Sequence, residues 1–533
     1  MTDSSPRSRL YAPFARRAFF WLWLGMLVST MGLWAQMVGA QWLFIADPNA
    51  ATIVSLVATA NALPAMLFGL PAGVLSDAFD RRWLLVGIQA YTFLIAVLLA
   101  VLTALDMMPA TLLLAFIFAA GLGLAAQLPT WQPLITELVP RSQLVSATRL
   151  DMLNVNVARA IGPAIAGVII TFLGVAQVFV FSAACTVLLL GALLLWRRPV
   201  ADAGPRERFM PALRSGARYV RHEPGVRRIL IRVAMFVAPA SAVWTLLPLI
   251  ANRQLGLDST GYGVLFAILG VGAVIGSLTL GRLRARFSSN AILAIVAVGF
   301  AAAFGLIMMV PGLPAALPLM LVAGFGWNVT IATLNAELQL FLPSWVRARA
   351  LAVYLMVFTG TQAVASPAWG LVTQHLSLAV AVLTAAVLVA VGGLIGLRYR
   401  IPESENADRE PVNYWGETVT GLAAEPDSGP IQVMVRFRIR PQDEAAWLEA
   451  MDGLRRSRLR TGAYRWELYR IGEDPGSFVE IFTVASWAEH RRQHETRLTL
   501  DDQLIEERAL AFSVEPATAV HLLPPEPPSL TED

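Results

Sequence analysis

The sequence predicts an all-α polytopic membrane protein, with twelve transmembrane helices in two six-helix bundles and a C-terminal α+β domain of ferredoxin-like type. Hydrophobic residues make up 56% of the 533 residues, and charged residues only 15%. A soluble protein of this length needs far more surface charge, so most of the chain is expected to contact lipid. Apolar runs of membrane-spanning length recur up to residue 398, and a polar, proline-rich stretch separates them from the rest of the chain.

Each apolar run is long enough to cross a bilayer as a helix. Six runs precede an arginine-rich break at residues 197–228, and six follow it. The runs lie near residues 18–45, 51–76, 83–105, 109–131, 146–172 and 175–196, and then near 229–251, 261–282, 290–310, 314–341, 347–374 and 377–398. The first run lacks the short apolar core and cleavage site of a signal peptide, so we expect an uncleaved span.

The two halves of the membrane portion echo each other, as expected for bundles related by an axis along the membrane normal. Pro163 in the fifth span corresponds to Pro367 in the eleventh. Residues 209–221 have one apolar and one basic face, which predicts a helix along the inner membrane surface. The expected domains are residues 1–198, the loop 199–228, residues 229–400, a linker at 401–430, the domain 431–524 and a tail at 525–533.

The loop arginines predict the orientation, because cytoplasmic loops carry the excess of basic residues. Arginines concentrate in one alternating set of loops, with Arg81, Arg82, Arg141, Arg282, Arg347 and Arg398 among them. The other set of loops contains few charges. Both termini are therefore expected in the cytoplasm.

The composition excludes several other classes of protein. All 41 residues counted as Lys or Arg are arginine, and the net charge is only +4, so the high pI does not indicate nucleic-acid binding. The phosphate loop GxxxxGK[ST] requires a lysine, so ATP-driven transport is not expected. Cys185 is the single cysteine, which excludes an intramolecular disulfide.

A short charged turn, GVLSDAFDRR at residues 73–82, joins the second and third spans. Full charges stay hydrated, so this turn must lie at a membrane surface. A carboxylate at one helix end and a pair of guanidiniums can hold neighbouring helix ends through charge-assisted hydrogen bonds and the helix dipole. We interpret this turn as a gating motif that consists of Gly73, Asp77, Asp80, Arg81 and Arg82. A role in membrane topology alone is the alternative.

The pattern of this turn resembles the signature loop of the major facilitator superfamily, with Asp80 at the place of the usual second glycine. In the fifth span, Arg159, Gly162, Pro163 and Gly167 resemble the fifth-helix motif of the exporters in that superfamily, although an alanine replaces one glycine. Glycines let helices approach closely and proline bends a span, so this helix suits a moving interface. A packing motif without directional meaning is the alternative.

Charged residues within the spans are candidates for coupling to protons. Arg159 lies near the middle of its span, where it is costly unless it faces a watery cavity, an anionic substrate or a carboxylate. Protonation of a buried carboxylate removes a buried charge and can drive alternating access. The candidates are Glu337, Asp151 and Glu137, and for the last two a place at the cytoplasmic interface is the alternative.

Polar and aromatic side chains within the spans are candidates for lining a central substrate cavity. The principal candidates are Gln36, Asn61, Gln127, Trp131 and Asn335, and the same group contains Trp34, Gln41, Asn154, Asn156, Trp327 and Asn328. Hydrogen bonding between helices explains such amides equally well.

Residues 431–524 predict the order βαββαβ, with strands at 431–439, 464–470, 477–485 and 517–523, helices at 443–460 and 487–511, and a turn at 474–476. This unit resembles the small dimeric barrel domains related to antibiotic-biosynthesis monooxygenases, which implies a homodimer through this domain. Trp466, His490 and His494 are the side chains best suited to enzyme chemistry. The sequence around them has no flavin, haem or metal motif, and both histidines fit an exposed helix face. We expect no cofactor and no metal, and a dimerisation or regulatory module.

Residues 12–400 resemble a major facilitator transporter of the branch that includes the enterobactin exporter and macrolide-efflux proteins. The resemblance implies proton-coupled export of a small amphipathic compound, a siderophore or a drug, by alternating access in the bacterial inner membrane. Its partners are then the lipid bilayer, the small-molecule substrate and protons, without nucleic acid. The alternatives are a membrane-anchored enzyme whose activity lies in residues 431–524, and an importer of the same fold.

Overall fold

The structure is a computed structural model that describes residues 11–197, 209–402, 412, 425 and 428–524, with the backbone alone at residues 70, 74, 77 and 209–215. Within these residues, twelve helices are long and apolar enough to cross a membrane. The twelve spans that the hydropathy predicts are therefore confirmed. Most of the predicted linker at 401–430 and the tail at 525–533 lie outside the described residues.

The first bundle consists of six helices that follow the predicted spans closely. They are α1 Arg17–Trp42, α2 Ala50–Ala78, α3 Arg81–Ala104, α4 Ala110–Leu138, α5 Leu144–Leu173 and α6 Val175–Leu195. The main difference is in α4, which continues to Leu138 although its apolar run ends near residue 131. Pro129 and Pro133 lie inside this helix without ending it, so hydropathy underestimates its length.

The second half begins with a helix that precedes the membrane spans. The helices are α7 Phe209–His222, α8 Pro224–Ala240, α9 Ala242–Leu249, α10 Ser259–Arg284, α11 Ser289–Leu306, α12 Gly312–Phe341, α13 Ser344–His375 and α14 Leu378–Arg398. The helix expected in the break between the halves is present as α7. The second bundle comprises α8 to α14.

The seventh span differs from the single helix near residues 229–251 that the hydropathy predicts. It begins at Pro224, is divided at Ser241 into α8 and α9, and ends in a π-helical turn at Ile250–Gln254. Pro239, two residues before Ser241, lacks a backbone N–H and cannot complete the regular helical hydrogen-bond pattern, which accounts for the division.

The chain forms two compact units. The first contains Met1–Gly204, Leu230–Asn335 and Tyr354–Ile401, and the second contains Pro205–Ile229, Ala336–Val353 and Pro402–Asp533. Most of both helical bundles belongs to the first unit. The second unit contains the C-terminal domain together with α7 and the adjoining ends of α12 and α13.

Small residues let the helices of the first bundle approach closely. A Cβ atom at Gly25 of α1 would lie 2.9 Å from the Cα atom of Leu189 in α6, and one at Gly32 would lie 2.7 Å from the Cβ atom of Cys185. The glycine face of α1 therefore packs directly on α6. Cys185 is buried in this contact.

The C-terminal domain has the predicted βαββαβ order within residues 428–524. Its elements are β1 Ile431–Arg438, α15 Glu444–Thr461, β2 Ala463–Ile471, β3 Asp474–Val484, α16 Trp487–Arg492, α17 Leu500–Leu510 and β4 Thr518–Leu522. The strands form one antiparallel sheet in the order β2-β3-β1-β4. This is the ferredoxin-like arrangement expected from the sequence.

Two local features of this domain differ from the prediction. The chain turns at residues 472 and 473, and the predicted turn at 474–476 belongs to β3, because Asp474 already pairs with Ile471. The helix predicted over residues 487–511 is divided by a π-helical turn at Gln493–Arg497. Thr499 then starts α17 through a capping box with Asp502, and this pair is the sequence signal for the division.

Candidate functional site

The gating motif lies where α2 passes into α3. Asp80 caps the N-terminus of α3, because its carboxylate accepts hydrogen bonds from the backbone N–H groups of Arg82 and Trp83 at 3.0 and 3.1 Å. The carboxylate at the place of the usual glycine thus has a local structural function. Gly73 lies in α2, where an added Cβ atom would meet nothing within 4 Å. Asp77 lies in the last turn of α2, and its side chain is outside the described part of the chain.

The two arginines of this motif tie α3 to two neighbouring helices. Arg81 forms an ion pair with Glu137 near the end of α4, with 2.8 Å between Nη1 and Oε1. Arg82 donates hydrogen bonds to the backbone carbonyl oxygens of Leu193 and Leu194 at 2.9 and 2.8 Å. These are among the last carbonyl groups of α6 and carry the negative end of its dipole. The motif therefore holds the ends of α3, α4 and α6 together.

Small residues of the fifth-span motif form the contact between α5 of the first bundle and α10 of the second. A Cβ atom at Gly167 would collide with the backbone carbonyl oxygen of Ser259, and one at Gly263 with that of Pro163. The Ser259 hydroxyl also donates to the Gly167 carbonyl oxygen at 3.2 Å. Larger side chains at these two glycines would push the helices apart.

Further contacts between the bundles lie near the end that carries residues 43–49, which we call the arginine-poor end. The Tyr262 hydroxyl donates to the side-chain oxygen of Gln41 at 2.6 Å. The Gln374 side chain donates to the carbonyl oxygen of Pro48 at 3.1 Å. These contacts hold the bundles together at this end. We call the opposite end, with Arg81 and Arg141, the arginine-rich end.

Arg159 lies between the bundles, with its guanidinium near two indole rings. Its Cζ atom is 5.2 Å from the ring centroid of Trp34 on α1 and 6.0 Å from that of Trp244 on α9. Among the described residues, Arg159 Nε and Trp244 Nε1 are buried donors without a hydrogen-bond partner. Buried donors are nearly always paired, so this site suits a ligand that supplies acceptor oxygens. Gly162 packs one turn further along α5, where a Cβ atom would lie 2.6 Å from the carbonyl oxygen of Met31.

An aromatic cluster surrounds the arginine. The Trp244 ring centroid is 5.4 Å from that of Phe266 and 5.3 Å from that of Trp327, and the Trp34 centroid is 5.8 Å from that of Phe266. Trp34 and Trp327 are among the predicted cavity residues. Trp244 and Phe266 are not, because both lie within long apolar runs where no local signal separates them from lipid-facing residues. A guanidinium beside aromatic faces suits a planar anionic group.

The predicted cavity amides mostly bond to protein groups. Gln36 accepts a hydrogen bond from Ser182 at 3.1 Å, and Gln127 accepts one from Gln89 at 3.0 Å, so both bridge helices of the first bundle. Asn61 is half-buried in α2. The other amides also have partners: Asn154 donates to the carbonyl of Trp23, Asn156 donates to the carbonyl of Met152, Asn328 accepts from Ser277, and Asn335 has a further interaction.

The three proton-coupling candidates have different surroundings. Asp151 is half-buried in α5 and accepts a hydrogen bond from the indole N–H of Trp131 at 2.8 Å. Glu137 is in the ion pair with Arg81. The Glu337 side chain is buried, and it lies about one turn before α12 ends at Phe341.

Ion pairs connect the C-terminal domain to α7 within the second compact unit. Glu489 of α16 lies 3.2 Å from Arg218 of α7 and 2.6 Å from Arg497. Burial alone would raise the pKa of Glu489, but Arg497 and Arg492 lower it to about 2. Glu489 is therefore ionised at neutral pH and lies between cations on both sides.

A second set of buried charges lies inside the C-terminal domain. Arg458 is 2% exposed and contacts Glu480 at 3.2 Å and Glu506 at 2.7 Å. The indole N–H of Trp466 donates to Glu480 at 2.8 Å. Trp466 is thus engaged in the same network. Arg460 similarly contacts Asp502 at 2.7 Å.

Three histidines meet in this domain, and this corrects the expectation that two of them lie on an exposed helix face. His490 is 0% and His494 7% exposed. The Nε2 atom of His490 is 3.1 Å from that of His494 and 3.0 Å from that of His521 on β4. Burial lowers the pKa of His490 to about 4 and that of His494 to about 2. The sequence gives no signal for His521, because nothing in its linear order connects β4 with α16.

Residues 8–524 match the major facilitator family described as transmembrane secretion effector. The chain belongs to this family. The match extends over both helical bundles and the C-terminal domain, and it confirms the resemblance to major facilitator transporters.

Curated relatives of this chain carry names from siderophore transport. The chain is 25% identical to the staphyloferrin A transporter of Staphylococcus aureus over 252 residues, which cover 47% of this chain and 63% of that protein. It is 30% identical to the enterobactin exporter EntS of Salmonella typhimurium over 276 residues, which cover 51% of this chain and 64% of that protein. Each of these matches spans less than two thirds of the relative.

Solved transporter structures share the fold of this chain. The nucleoside transporter NupG (D323A mutant) superposes with a TM-score of 0.63 at 12% identity and covers 72% of this chain and 99% of its own. A bacterial homologue of the iron transporter ferroportin in an inward-facing state gives a TM-score of 0.55 at 16% identity, over 71% and 98% of the two chains. At these identities the similarity establishes the fold alone.

Proposed function

We propose that this protein exports a small anionic compound with an aromatic or amphipathic body, of the siderophore class, across the bacterial inner membrane. The observation that carries the proposal is the site at Arg159, where a half-buried arginine with a buried Nε atom lies near the indole rings of Trp34 and Trp244. The names of the staphyloferrin A transporter and the enterobactin exporter support a siderophore as the substrate.

The chemistry of the site supports an anionic substrate. A guanidinium within a span is costly unless a partner compensates its lost hydration. The indole ring of Trp34 offers the charge about 0.5–2 kcal/mol, which is too little alone. Carboxylate or phenolate oxygens could accept hydrogen bonds from Arg159 Nε and Trp244 Nε1, which are buried donors without a partner among the described residues. Each bond to a charged group is worth about 1.5–3 kcal/mol.

We propose alternating access by rocking of the two bundles around this site. The contact of Gly167 with Ser259 and the hydrogen bond from Tyr262 to Gln41 keep the arginine-poor end closed. With the arginine-rich end in the cytoplasm, this state receives substrate from inside the cell. The positive-inside rule supports that orientation, in which both termini are in the cytoplasm.

The gating motif is proposed to keep the arginine-rich end of the first bundle rigid while the bundles move. Its support is the set of bonds from Arg81 to Glu137 and from Arg82 to the end of α6. We include Asp77 and Gly73 in the motif because of their positions in the signature loop. Glu137 is accordingly assigned to the gate in preference to proton transfer.

Proton coupling is proposed to use Asp151 or Glu337. Asp151 lies on α5, the helix that also carries Arg159 and the glycine contact, so its protonation state can act on the element that moves. Glu337 is buried, and protonation removes the cost of a buried charge.

The C-terminal domain is proposed to act as a dimerisation or regulatory module, which the resemblance to small dimeric barrel domains supports. Met434 on β1 stands directly opposite Ile481 of β3 and Val520 of β4. None of the three side chains is fully buried, so they form an apolar stripe on the open face of the sheet, where a second copy could pack. Mass photometry of the full chain in detergent, with and without Met434→Glu, tests this dimer.

The principal experiment measures the accumulation of a radiolabelled catecholate siderophore and a carboxylate siderophore in siderophore-free cells. Cells expressing the full chain are compared with cells expressing Arg159→Gln, with and without a protonophore. We expect lower accumulation with the wild-type chain, and loss of this difference in the variant and with the protonophore. Accumulation of both compounds that is the same with and without the wild-type chain would reject siderophore export.

A further inference from the structure

We propose that His490, His494 and His521 form a binding site for a divalent first-row transition metal ion of the zinc type in the C-terminal domain. The site goes beyond the proposed transport function, because it lies in residues 431–524 and not in the helical bundles. Its ligands are three of the five histidines in the chain.

The distances between the three imidazoles fit a metal site. One ring nitrogen from each histidine lies within 4.8 Å of the other two, and the two Nε2–Nε2 contacts of His490 are 3.1 and 3.0 Å. Two nitrogens bound tetrahedrally to zinc at about 2.0–2.1 Å are separated by roughly 3.3 Å. Small rotations of the rings would therefore bring all three nitrogens to bonding distance of one ion.

The hydrogen-bonding capacity of imidazole favours an ion at this point. Each Nε2 atom carries either one proton or one lone pair, so the Nε2 atom of His490 can make one good hydrogen bond. Two other ring nitrogens, from His494 and His521, lie at hydrogen-bond distance from it. One of these contacts must then be unfavourable in the absence of a cation, whereas a metal ion accepts all three lone pairs at once.

The ligand set indicates the class of metal. Neutral imidazole nitrogens suit zinc, copper, iron and nickel, whereas magnesium and calcium require oxygen ligands. Cys185, the single cysteine, lies far away in sequence in α6, so a thiolate from this chain is not expected. His521 is only half-buried, which leaves a side from which an ion and a water ligand can enter.

The surroundings of the site orient its ligands and do not repel a cation. The His490 ring centroid is 5.5 Å from that of Trp487 and 6.4 Å from that of Phe482, which restricts its rotation. The nearby guanidinium of Arg458 contacts two carboxylates, those of Glu480 and Glu506. The net charge of that network is therefore negative when all three groups are ionised.

Metal binding at this site would connect α16 to β4, the edge strand of the sheet. Glu489, next to His490, pairs with Arg218 of α7. An ion bound here thus fixes the segment that contacts α7. We expect metal binding to slow amide exchange in both α16 and β4.

The test uses the full chain, purified in detergent without a histidine tag and stripped with EDTA. Equilibrium dialysis against zinc chloride, with metal quantified by mass spectrometry, is expected to give one tightly bound ion per chain. His521→Ala and His494→Gln each remove one ligand, and we expect the affinity to fall by at least the roughly 10–100-fold that loss of an outer-shell partner costs. His222→Gln and His375→Gln, the two remaining histidines, are the matched controls and should bind as the wild type does.

A second readout guards against misfolded variants. Zinc should raise the melting temperature of the wild type and of both controls, and the same zinc concentration should raise that of the His521→Ala protein by much less. Cobalt substitution should give d–d absorption bands without a sulfur charge-transfer band. The proposal would be overturned if the wild type does not bind zinc, or if His521→Ala and His494→Gln both bind zinc as strongly as the wild type does.

Discussion

The Cζ atom of Arg159 on α5 lies 5.2 Å from the ring centroid of Trp34 on α1, so the charge of one span rests against the aromatic ring of another. The ring centroid of Trp244, from the second bundle, lies 6.0 Å from the same Cζ atom. The same guanidinium thus contacts both halves of the transporter. A substrate bound to it would contact both halves as well, which is what coupling of binding to bundle movement requires.

Replacement of Arg159 should weaken recognition of anionic substrate without unfolding the protein. We expect Arg159→Gln to lower the rate of siderophore export by roughly 10- to 100-fold. This factor corresponds to the loss of a hydrogen bond to a charged group, which is worth about 1.5–3 kcal/mol. Arg159→Lys should retain part of the activity, because it keeps the charge but loses the planar fork. The measurement is efflux from preloaded right-side-out vesicles, or uptake into inverted vesicles.

Arg149→Gln is the matched control for this prediction. Arg149 lies on the same helix but its side chain is exposed, so export should be unchanged. An Arg159→Gln protein that exports an anionic substrate at the wild-type rate would show that the guanidinium is not part of the substrate site.

The glycine contact between α5 and α10 should tolerate no added side chain. A Cβ atom at Gly263 would collide with the carbonyl oxygen of Pro163, so Gly263→Leu should prevent closure of the arginine-poor end. We expect a large loss of export, and increased thiol labelling of a cysteine placed at Gln41 in a Cys185→Ser background. Gly191→Leu is the control, because an added Cβ atom at Gly191 meets nothing within 4 Å.

If Gly263→Leu leaves both export and labelling unchanged, the contact between α5 and α10 is not part of the transport cycle. Equal losses in Gly263→Leu and Gly191→Leu would point to a general effect on folding. Comparison of the two proteins by size-exclusion chromatography separates these outcomes.

Hydropathy and period-two alternation predict the elements of this protein because both are local properties of the chain. The twelve spans and the four strands are found within a few residues of their predicted positions, and the strand order follows from the βαββαβ pattern. The division of the seventh span at Ser241 cannot be predicted in this way. A proline within a span does not by itself predict a break, because Pro129 and Pro133 also occur inside the unbroken helix α4. Local sequence does not show which proline the surrounding structure accommodates.

Contacts between distant segments are what the sequence does not reveal. Arg159 is identifiable as a charge within a span, but Trp244 reaches it only through the packing of the two bundles. His521 joins His490 because β4 pairs with β1 at the edge of the sheet. In both cases the sequence identifies one residue as a candidate for chemistry, whereas only the tertiary structure shows which residue lies next to it.

The ion pair between Arg81 and Glu137 should contribute modestly to stability. The two side chains are 25% and 16% exposed, so a double-mutant cycle with Arg81→Gln and Glu137→Gln should give a coupling energy of about 0.5–1 kcal/mol. Thermal unfolding in detergent measures this energy. The exchanged pair, Arg81→Glu with Glu137→Arg, should recover part of the export that either single exchange loses, and failure of both single exchanges to affect export would exclude a gating function.

Neutralisation of the proton carrier should separate substrate binding from proton movement. If Asp151 is the carrier, Asp151→Asn should abolish substrate-induced proton release from proteoliposomes containing a pH-sensitive dye, while siderophore binding persists. If Glu337 is the carrier, Glu337→Gln should have this effect instead. Glu137→Gln is the comparison, since we assign Glu137 to the gate, and it should retain proton release. Normal proton release in both carrier variants would remove these two residues from the coupling mechanism.

The ion pair of Asp502 with Arg460 should make the stability of the C-terminal domain fall in acid. Burial alone would raise the pKa of Asp502, but Arg460 and hydrogen bonds from Ser457 and Thr499 bring it below its usual value of 3.8. A carboxyl whose pKa is lower in the folded than in the unfolded state stabilises the fold above its unfolded pKa. That stabilisation is lost as the pH falls below about 4 toward the folded value.

Melting temperatures of the full chain between pH 6 and pH 3 measure this loss. The Asp502→Asn protein should be less stable at pH 6, by about 3–5 kcal/mol for a broken buried pair, and its stability should vary less between pH 4 and pH 3. Glu449→Gln, which changes an exposed carboxylate on α15, should follow the wild-type profile. The pKa of Asp502 would not be lowered by folding if the melting temperature of the wild type does not change below pH 4. The same conclusion would follow if the melting temperature of Asp502→Asn changes with pH as that of the wild type does.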